Sequence, residues 1–428
     1  MVWTDSIKVI ATGIAYEETA GTAETAPQEY TYINNDGVLN CPRDFDDFTA
    51  HSSRALTFSV PKAYHTTGSF ASWVFPETNG FGYWLSGALG TDGTPTKHGT
   101  LTYIHQIDVA SSQIPSYTLW MKTGVYEYKS TNNQIASLTI DQAKNSVLSA
   151  TVDTIGSGLT TTTDFGTASY VTDANDCFTS QKAYVLWDDT WITNVSNLSI
   201  TIDNGIDPEE PKVMGKEYAD HILAGARKVT GNATVFVEDT TQIEDYWGST
   251  TGPAASTTTV PLRVIWLSDT IETVTTQTTA MQELKVSGST TTITPGGSYT
   301  GTGAALFEVK ITTDGTPDKF MWRKNWGEWS TETPTSTQAV SLSDAVTVTF
   351  SSESGAKVGD RWFWRTGPRP YCLDIHMPSC RINTFEQQST GNRLSANVTF
   401  TGMISSDYNY DIRAYLHNTK SATYNGNA

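Results

Sequence analysis

Short runs in which apolar and polar residues alternate recur along this chain with the period of a β-strand, and several of them occur twice in the same order. RALTFSV around Thr57 is answered by GNATVFV around Thr234, PSYTLWM at 115–121 by PYCLDIHM at 370–377, and LSATV at Leu148 by LSANV at Leu394. Each half closes alike, with LSITIDN ending at Asn204 and IRAYLHN at Asn418. The pattern predicts two tandem copies of one β unit. In the first pair of runs one side carries Thr57 and Ser59, or Asn232, Thr234, Phe236 and then Glu238. The other carries Leu56, Phe58 and Val60, or Ala233, Val235 and Val237. Successive side chains of a strand leave opposite faces, so the apolar set is expected to pack inward. Phe236 interrupts the polar set of the second copy.

The spacing between matched runs is not constant. It is 177 residues from Thr57 to Thr234 and 254 from Tyr117 to Tyr371, a difference of 77. The second copy therefore carries an insertion, and from about 286 to 366 the texture changes, with GSYTGTG, ALFEVKITTDGTPDKFMWR, AVTVTF and KVGDRWFW separated by Gly, Pro and Asp turns. The expected fold is all-β: two tandem β-sandwich or barrel units with a small Ig-like β-sandwich inserted in the second. The expected boundaries are 1–205 for the first copy with its N-terminal arm, 206–284 and 367–428 for the second, and 285–366 for the insert. Only two helices are expected, both short, at 81–90 (FGYWLSGALG) and 242–248 (QIEDYWG).

Charge and composition narrow the function classes. A formal net charge of −18 with no basic stripe excludes a protein that grips nucleic acid by neutralising phosphates. The same charge suits a solvated acidic surface, a densely packed assembly, or a passage along which a polyanion slides. The N-terminus lacks the pattern of a secretory signal, and no apolar run approaches the length of a membrane span. Cys41, Cys177, Cys372 and Cys380 show no zinc-type spacing; a hairpin pairing of Cys372 with Cys380 is conceivable, but free thiols are the expectation. Sequons at Asn194, Asn197, Asn232 and Asn397 are those a Ser/Thr-rich chain produces by chance.

Candidate chemistry is sparse. The carboxylate pairs Asp188/Asp189 and Glu209/Glu210 are adjacent in sequence, and neighbours on a strand point apart. His105, His221 and His376 lie in separate segments without a metal-ligand spacing. No nucleophile elbow or phosphate loop occurs. No catalytic, metal or cofactor-binding residue is assigned, and no cofactor is expected. Trp187 and Trp191, and Trp322, Trp326 and Trp329, are weighed as a sugar-stacking platform against core or interface packing, with packing the expectation.

The order of segments resembles the tail tube proteins of long-tailed bacteriophages of the siphovirus kind. The resemblance is carried by GIAYEETAGTAETAPQEYTYI, GVLNCP, YWLSGALGT, IPSYTLW followed by VYEYKSTNNQIASLTIDQAKNSVLSATVDTIG, then LSITIDNGIDP, GARKVTGNATVFVEDTTQIEDYWG, HMPSCRI and LSANVTFTGM. It implies a non-enzymatic virion protein, made in the host cytoplasm, whose rings stack around a lumen through which genomic DNA passes without specific binding. Partners implied are further copies of the chain, the tape measure protein, and the tail terminator and tail tip proteins. A chain holding two copies implies a trimeric, pseudo-hexameric ring. Thr57, Ser59, Asn232, Thr234 and Glu238 are then the expected lumen-facing residues. Residues 4–54 and the linker 203–230 are expected to stack rings, and the insert to project and adhere weakly to cell-surface glycans. Two other classes stay open: a carbohydrate-binding β-sandwich protein, and a surface-layer protein or adhesin.

Overall fold

Alternation, rather than helix propensity, shapes the chain. The computed structural model describes residues 9–31, 37–49, 55–77, 80–168, 177–209, 212–219, 222–254, 258–277, 282–390 and 393–425. Among these the protein is all-β, as expected, with only two α-helices, α1 (Phe81–Leu89) and α2 (Thr241–Trp247). Both fall where the sequence places them, and both stop at a left-handed glycine, Gly90 and Gly248.

Eight strands form the centre of the molecule: β1 (Val38–Asn40), β2 (Thr66–Trp73), β3 (Glu127–Ala143), β4 (Ser149–Gly156), β5 (Val195–Asp203), β6 (Lys228–Phe236), β7 (Arg361–Thr390) and β8 (Arg393–Gly402). They are antiparallel throughout, in the order β1-β2-β4-β3-β5-β6-β8-β7. The order of the first four recurs in the last four. Leu39 faces Gly68 and Gly68 faces Thr154 in the first quartet; Ile200 faces Gly231 and Gly231 faces Phe400 in the second. Each glycine makes room for a core side chain. A Cβ on Gly68 would lie 2.4 Å from Thr154 Oγ1 and 2.8 Å from the Phe70 ring, and one on Gly231 would lie 2.3 Å from the Phe400 ring.

This register corrects part of the repeat read from sequence. LSATV and LSANV do correspond: Ser149 opens β4 opposite Asp141, and Ser395 sits in β8 opposite Gln388. GNATVFV, however, corresponds to GSFASW within β2 and not to RALTFSV, which lies in a separate two-stranded sheet. LSITIDN begins the second quartet as β5, whereas IRAYLHN forms Arg413–Asn418, which pairs with β7 and with Tyr103–Val109. PSYTLWM pairs with Val9–Tyr16 and turns back into β3, while PYCLDIHM runs on within β7. A period of two is satisfied equally well by several strands, and only their partners tell them apart.

One face of the eight strands is apolar. Leu39, Phe70, Leu138, Ile140, Val152, Ile200, Ile202, Val229, Val235, Val398 and Phe400 join one core with every apolar side chain of α1. Val9–Tyr16 seals α1 from one side through buried Ile14. The C-terminal tail seals it from another, with Tyr424 against Gly82, its N–H donating to Asp92 at 2.7 Å, and Asn418 donating to the Pro76 carbonyl at 2.9 Å. The halves are also cross-braced, because Ala183–Trp187 pairs with Thr259–Val274.

A second core, built around Phe307, Val309, Phe320, Phe350, Trp362 and Trp364, occupies 284–364 and reaches Ile104 and Tyr415. Its strands form a three-stranded sheet (Ile293–Gly297, Val340–Ser341, Val346–Phe350) and part of a second one containing Ala305–Thr313 and the start of β7. No loop separates this segment from the body at its exit. The single 30-residue strand β7 pairs with Ala305–Thr313 at its start, then with Thr259–Val274, then with β8.

Candidate assembly surfaces

The face of the eight strands opposite the core is polar and tied together across strands by its own side chains. Ser69 and Ser137 both donate to Asp153, at 2.7 and 2.8 Å; Thr139 bonds Thr201 at 3.0 Å, Thr234 donates to Asn397 at 3.1 Å, and Thr384 bonds Thr399 at 2.7 Å. Asn232 and Thr234 lie on this face, as the alternation of β6 predicts, with Ala233 and Val235 buried behind them. Phe236 shares their side, half-buried, with the Arg393 guanidinium 5.3 Å from its ring. Glu238 is exposed two residues past the end of β6. Charges of both signs occur here, including Asp141, Asp203, Lys228 and Arg381, so hydroxyls and amides rather than net charge give the surface its character.

Thr57 and Ser59 lie elsewhere. Phe45–Phe48 and Phe58–Pro61 form a hairpin of their own, with Thr57 N–H donating to the Phe48 carbonyl at 2.7 Å and Ser59 to Asp47 at 2.5 Å. The expectation that Leu56, Phe58 and Val60 pack inward fails. They are 55, 56 and 47% exposed, and Phe45 and Phe48 beside them are exposed too, because among the described residues nothing covers them. Phe48 and Phe58 stack on each other at 4.7 Å. An uncovered aromatic patch of this kind marks an interaction surface. The matching connection in the second quartet, between β5 and β6, contains exposed Val213, Met214 and Leu223, and crosses the base of the hairpin where Tyr64 bridges Tyr218. Residues 4–54 are accordingly not one loose arm. Of their described part, Ala11–Ala15 are buried, β1 is sheet, and the hairpin is exposed together with 18–23.

Where the 282–366 segment meets the body, ion pairs accompany the apolar contacts with Ile104 and Tyr415. Glu308 accepts from Arg323 at 2.6 Å and from Arg361 at 3.1 Å, and Arg361 also grips Asp189 in the Trp187–Thr190 turn. Deeper in, Arg263 holds Asp374 at 2.6 and 2.9 Å and Gln282 at 2.6 Å. Burial alone would push the Asp189 carboxyl up, but the Arg361 guanidinium holds it below its ordinary value. His376 and His417 are held neutral by burial and by nearby guanidinium groups. Trp326 lies against Arg263 and Arg323, and Trp329 against Arg323 at 4.3 Å. Trp322 packs on Phe307, and Trp187 is buried with its N–H on Asp245 at 2.6 Å. Trp191 is exposed and lies against Tyr184 with the rings tilted by 51°. The tryptophans are thus spread through packing contacts, as expected, and form no single platform.

Of the carboxylate pairs, Asp189 is an ion-pair partner of Arg361 and Glu209 binds Lys212; Glu210 lies outside the described residues. His105 is buried between Asp92 and the Lys420 carbonyl, and His221 lies outside the described residues. Among the described residues no cluster of His, Cys, Asp and Glu has the makings of a metal site, and no helix is long and apolar enough to cross a membrane. All four cysteines are free thiols; Cys372 and Cys380 occupy one strand, not two arms of a hairpin. Burial pushes both thiols up to about 12.

Sequence reasoning missed the hairpin and the open strand ends as surfaces, although FDDF followed by TFSVP carries the hairpin's pattern. No curated protein matches the chain. A family profile described as phage tail tube protein matches residues 11–288, which takes in both helices and the first six of the eight strands. A repeated sheet with one polar face, an exposed apolar hairpin and this match over most of the chain agree, and the chain belongs to the phage tail tube protein family.

Proposed function

We propose that the chain polymerises into stacked rings, three chains to a ring, which form the tail tube through which the phage genome passes. The observation that carries this is the repeated quartet. Each chain supplies eight strands in two equivalent sets and, among the described residues, leaves a strand edge unpaired at either end of the sheet. Head-to-tail association of such a unit closes into a ring, and closure removes the edges that otherwise invite aggregation. Three chains give six quartets, a pseudo-hexameric barrel of twenty-four strands.

The polar face then lines the lumen, with Asn232 and Thr234 on it and Glu238 at its rim; Thr57 and Ser59 belong to the hairpin instead. Hydroxyls that already bond one another offer a passing phosphate backbone little to hold, so DNA and, before it, a tape measure protein slide without specific contact. The copies divide ahead of Val195 in this reading, with 285–366 as a module inserted in the second. The exposed hairpin and the 204–227 connection stack one ring on the next and meet the terminator and tip proteins at the tube's ends. Electron microscopy and mass measurement of assembled tubes test the ring: three chains per ring are expected, and six would overturn the proposal.

A further inference from the structure

The two unpaired edges of the sheet are the outer side of β1 and the side of β7 opposite β8 from 382 to 389; among the described residues neither has a strand partner there. Inside the chain the equivalent edges are already joined. β3 pairs with β5, with Thr139 opposite Thr201, Ile140 opposite Ile200 and Asp141 opposite Ser199. The repeat fixes how that junction transposes. Asp141 and Gln388 are equivalent because each faces the serine of the matched LSATV and LSANV runs, Ser149 and Ser395. Ile200 and Leu39 are equivalent because each faces the glycine of its quartet, Gly231 and Gly68.

We infer that β7 of one chain pairs antiparallel with β1 of the next in one register: Gln388 opposite Val38, Gln387 opposite Leu39 and Glu386 opposite Asn40. This rests on the ring reading above and gives it a specific seam. Side chains fall on the correct faces. Val38, Asn40, Glu386 and Gln388 are exposed on the polar side, and Leu39 on the core side. At the free end of β7 the inward positions are polar, Gln387 and Ser389, where β3 has Ile140 and Gln142. Polar inward residues are how an edge awaiting its partner is kept from pairing promiscuously. A one-residue slip would put Val38 and Gln388 on opposite faces.

Cross-linking in assembled tubes tests the register. In a Cys41→Ser background, Val38→Cys with Gln388→Cys should oxidise to covalently joined chains, with at least ten times the yield of the slipped pair Val38→Cys with Gln387→Cys. Tubes that form normally but link best through the slipped pair, or through neither, overturn the register and leave the ring intact. Absence of rings and tubes from the unaltered chain overturns both. If the cysteine variants fail to assemble, charge decides. Val38→Lys with Gln388→Lys should lower assembly at least tenfold, and Val38→Lys with Gln388→Glu should restore it; equal assembly of the two overturns the register.

Discussion

At the scale of the residue, the fold depends on a few positions where size or charge is tightly constrained. Gly231→Ala puts a methyl within 2.3 Å of the Phe400 ring and 2.6 Å of the Ser199 carbonyl. It should cost about 1–3 kcal/mol, read as a lower denaturation midpoint, and Gly68→Ala should behave alike. Glu308 accepts from two buried guanidinium groups, so Glu308→Leu leaves Arg323 without its carboxylate and Arg361 with Asp189 alone, and should cost about 3–5 kcal/mol, read as a fall in melting temperature. Acid should act in the same direction. Burial holds His98 at about 4 against an ordinary 6.5, and His376 and His417 lie well below theirs. The unfolded chain takes up these protons first as pH falls. Stability is therefore full above about 6.5 and declines toward 4, with Asp189 adding loss at the acid end. Urea midpoints at pH 7.5 and 5 should differ, the acid one being lower.

At the scale of the element, equal sequence patterns meet unequal surroundings. β6 and Phe58–Pro61 both alternate, but β6 has a strand on each side and a core behind it, whereas Phe58–Pro61 has, among the described residues, one partner and solvent. Its phenylalanines are exposed in the single chain, which is economical only if another molecule covers them. Phe48→Ser with Phe58→Ser removes about 1.5–3 kcal/mol of burial per side chain at that contact. The variant should stay folded by circular dichroism and form rings, yet give few or short tubes in negative stain. The helices show the same contrast. α1 was legible because FGYWLSGALG is apolar on all sides, and it is buried on all sides. α2 buries only Gln242 completely and lies over β7 with Tyr246 stacked on Phe385. Removal of residues 1–40 takes away Val9–Tyr16 as well, so the loss of α1's cover should give insoluble protein rather than soluble, unstacked subunits.

At the scale of the whole molecule, the chain is a pair of quartets locked by cross-pairing and by a tail that returns to α1. The 282–366 segment is held by β7 running through both sheets and by the Glu308–Arg361–Asp189 ion network. That attachment is stiff, so the module should keep a fixed pose on every subunit. Image averages of tubes should resolve it as well as the tube wall, and a smeared outer layer would contradict this.

The sequence by itself determined that the protein is all-β, where its two helices lie, and that a strand pattern repeats. Each of these follows from period, turn residues and spacing, which are local properties of the chain. It also made the correspondence of LSATV with LSANV legible, because both sit beside hairpins whose register the turn fixes. Tertiary structure alone decided that GSFASW, not RALTFSV, is the counterpart of GNATVFV, that LSITIDN opens the second quartet, and that Thr57 and Ser59 leave the polar face. The reason is that alternation says which side chains share a face but not which strand lies alongside, and the neighbour is chosen by contacts distant in the chain, such as Thr154 against Gly68 across 86 positions and Phe400 against Gly231 across 169.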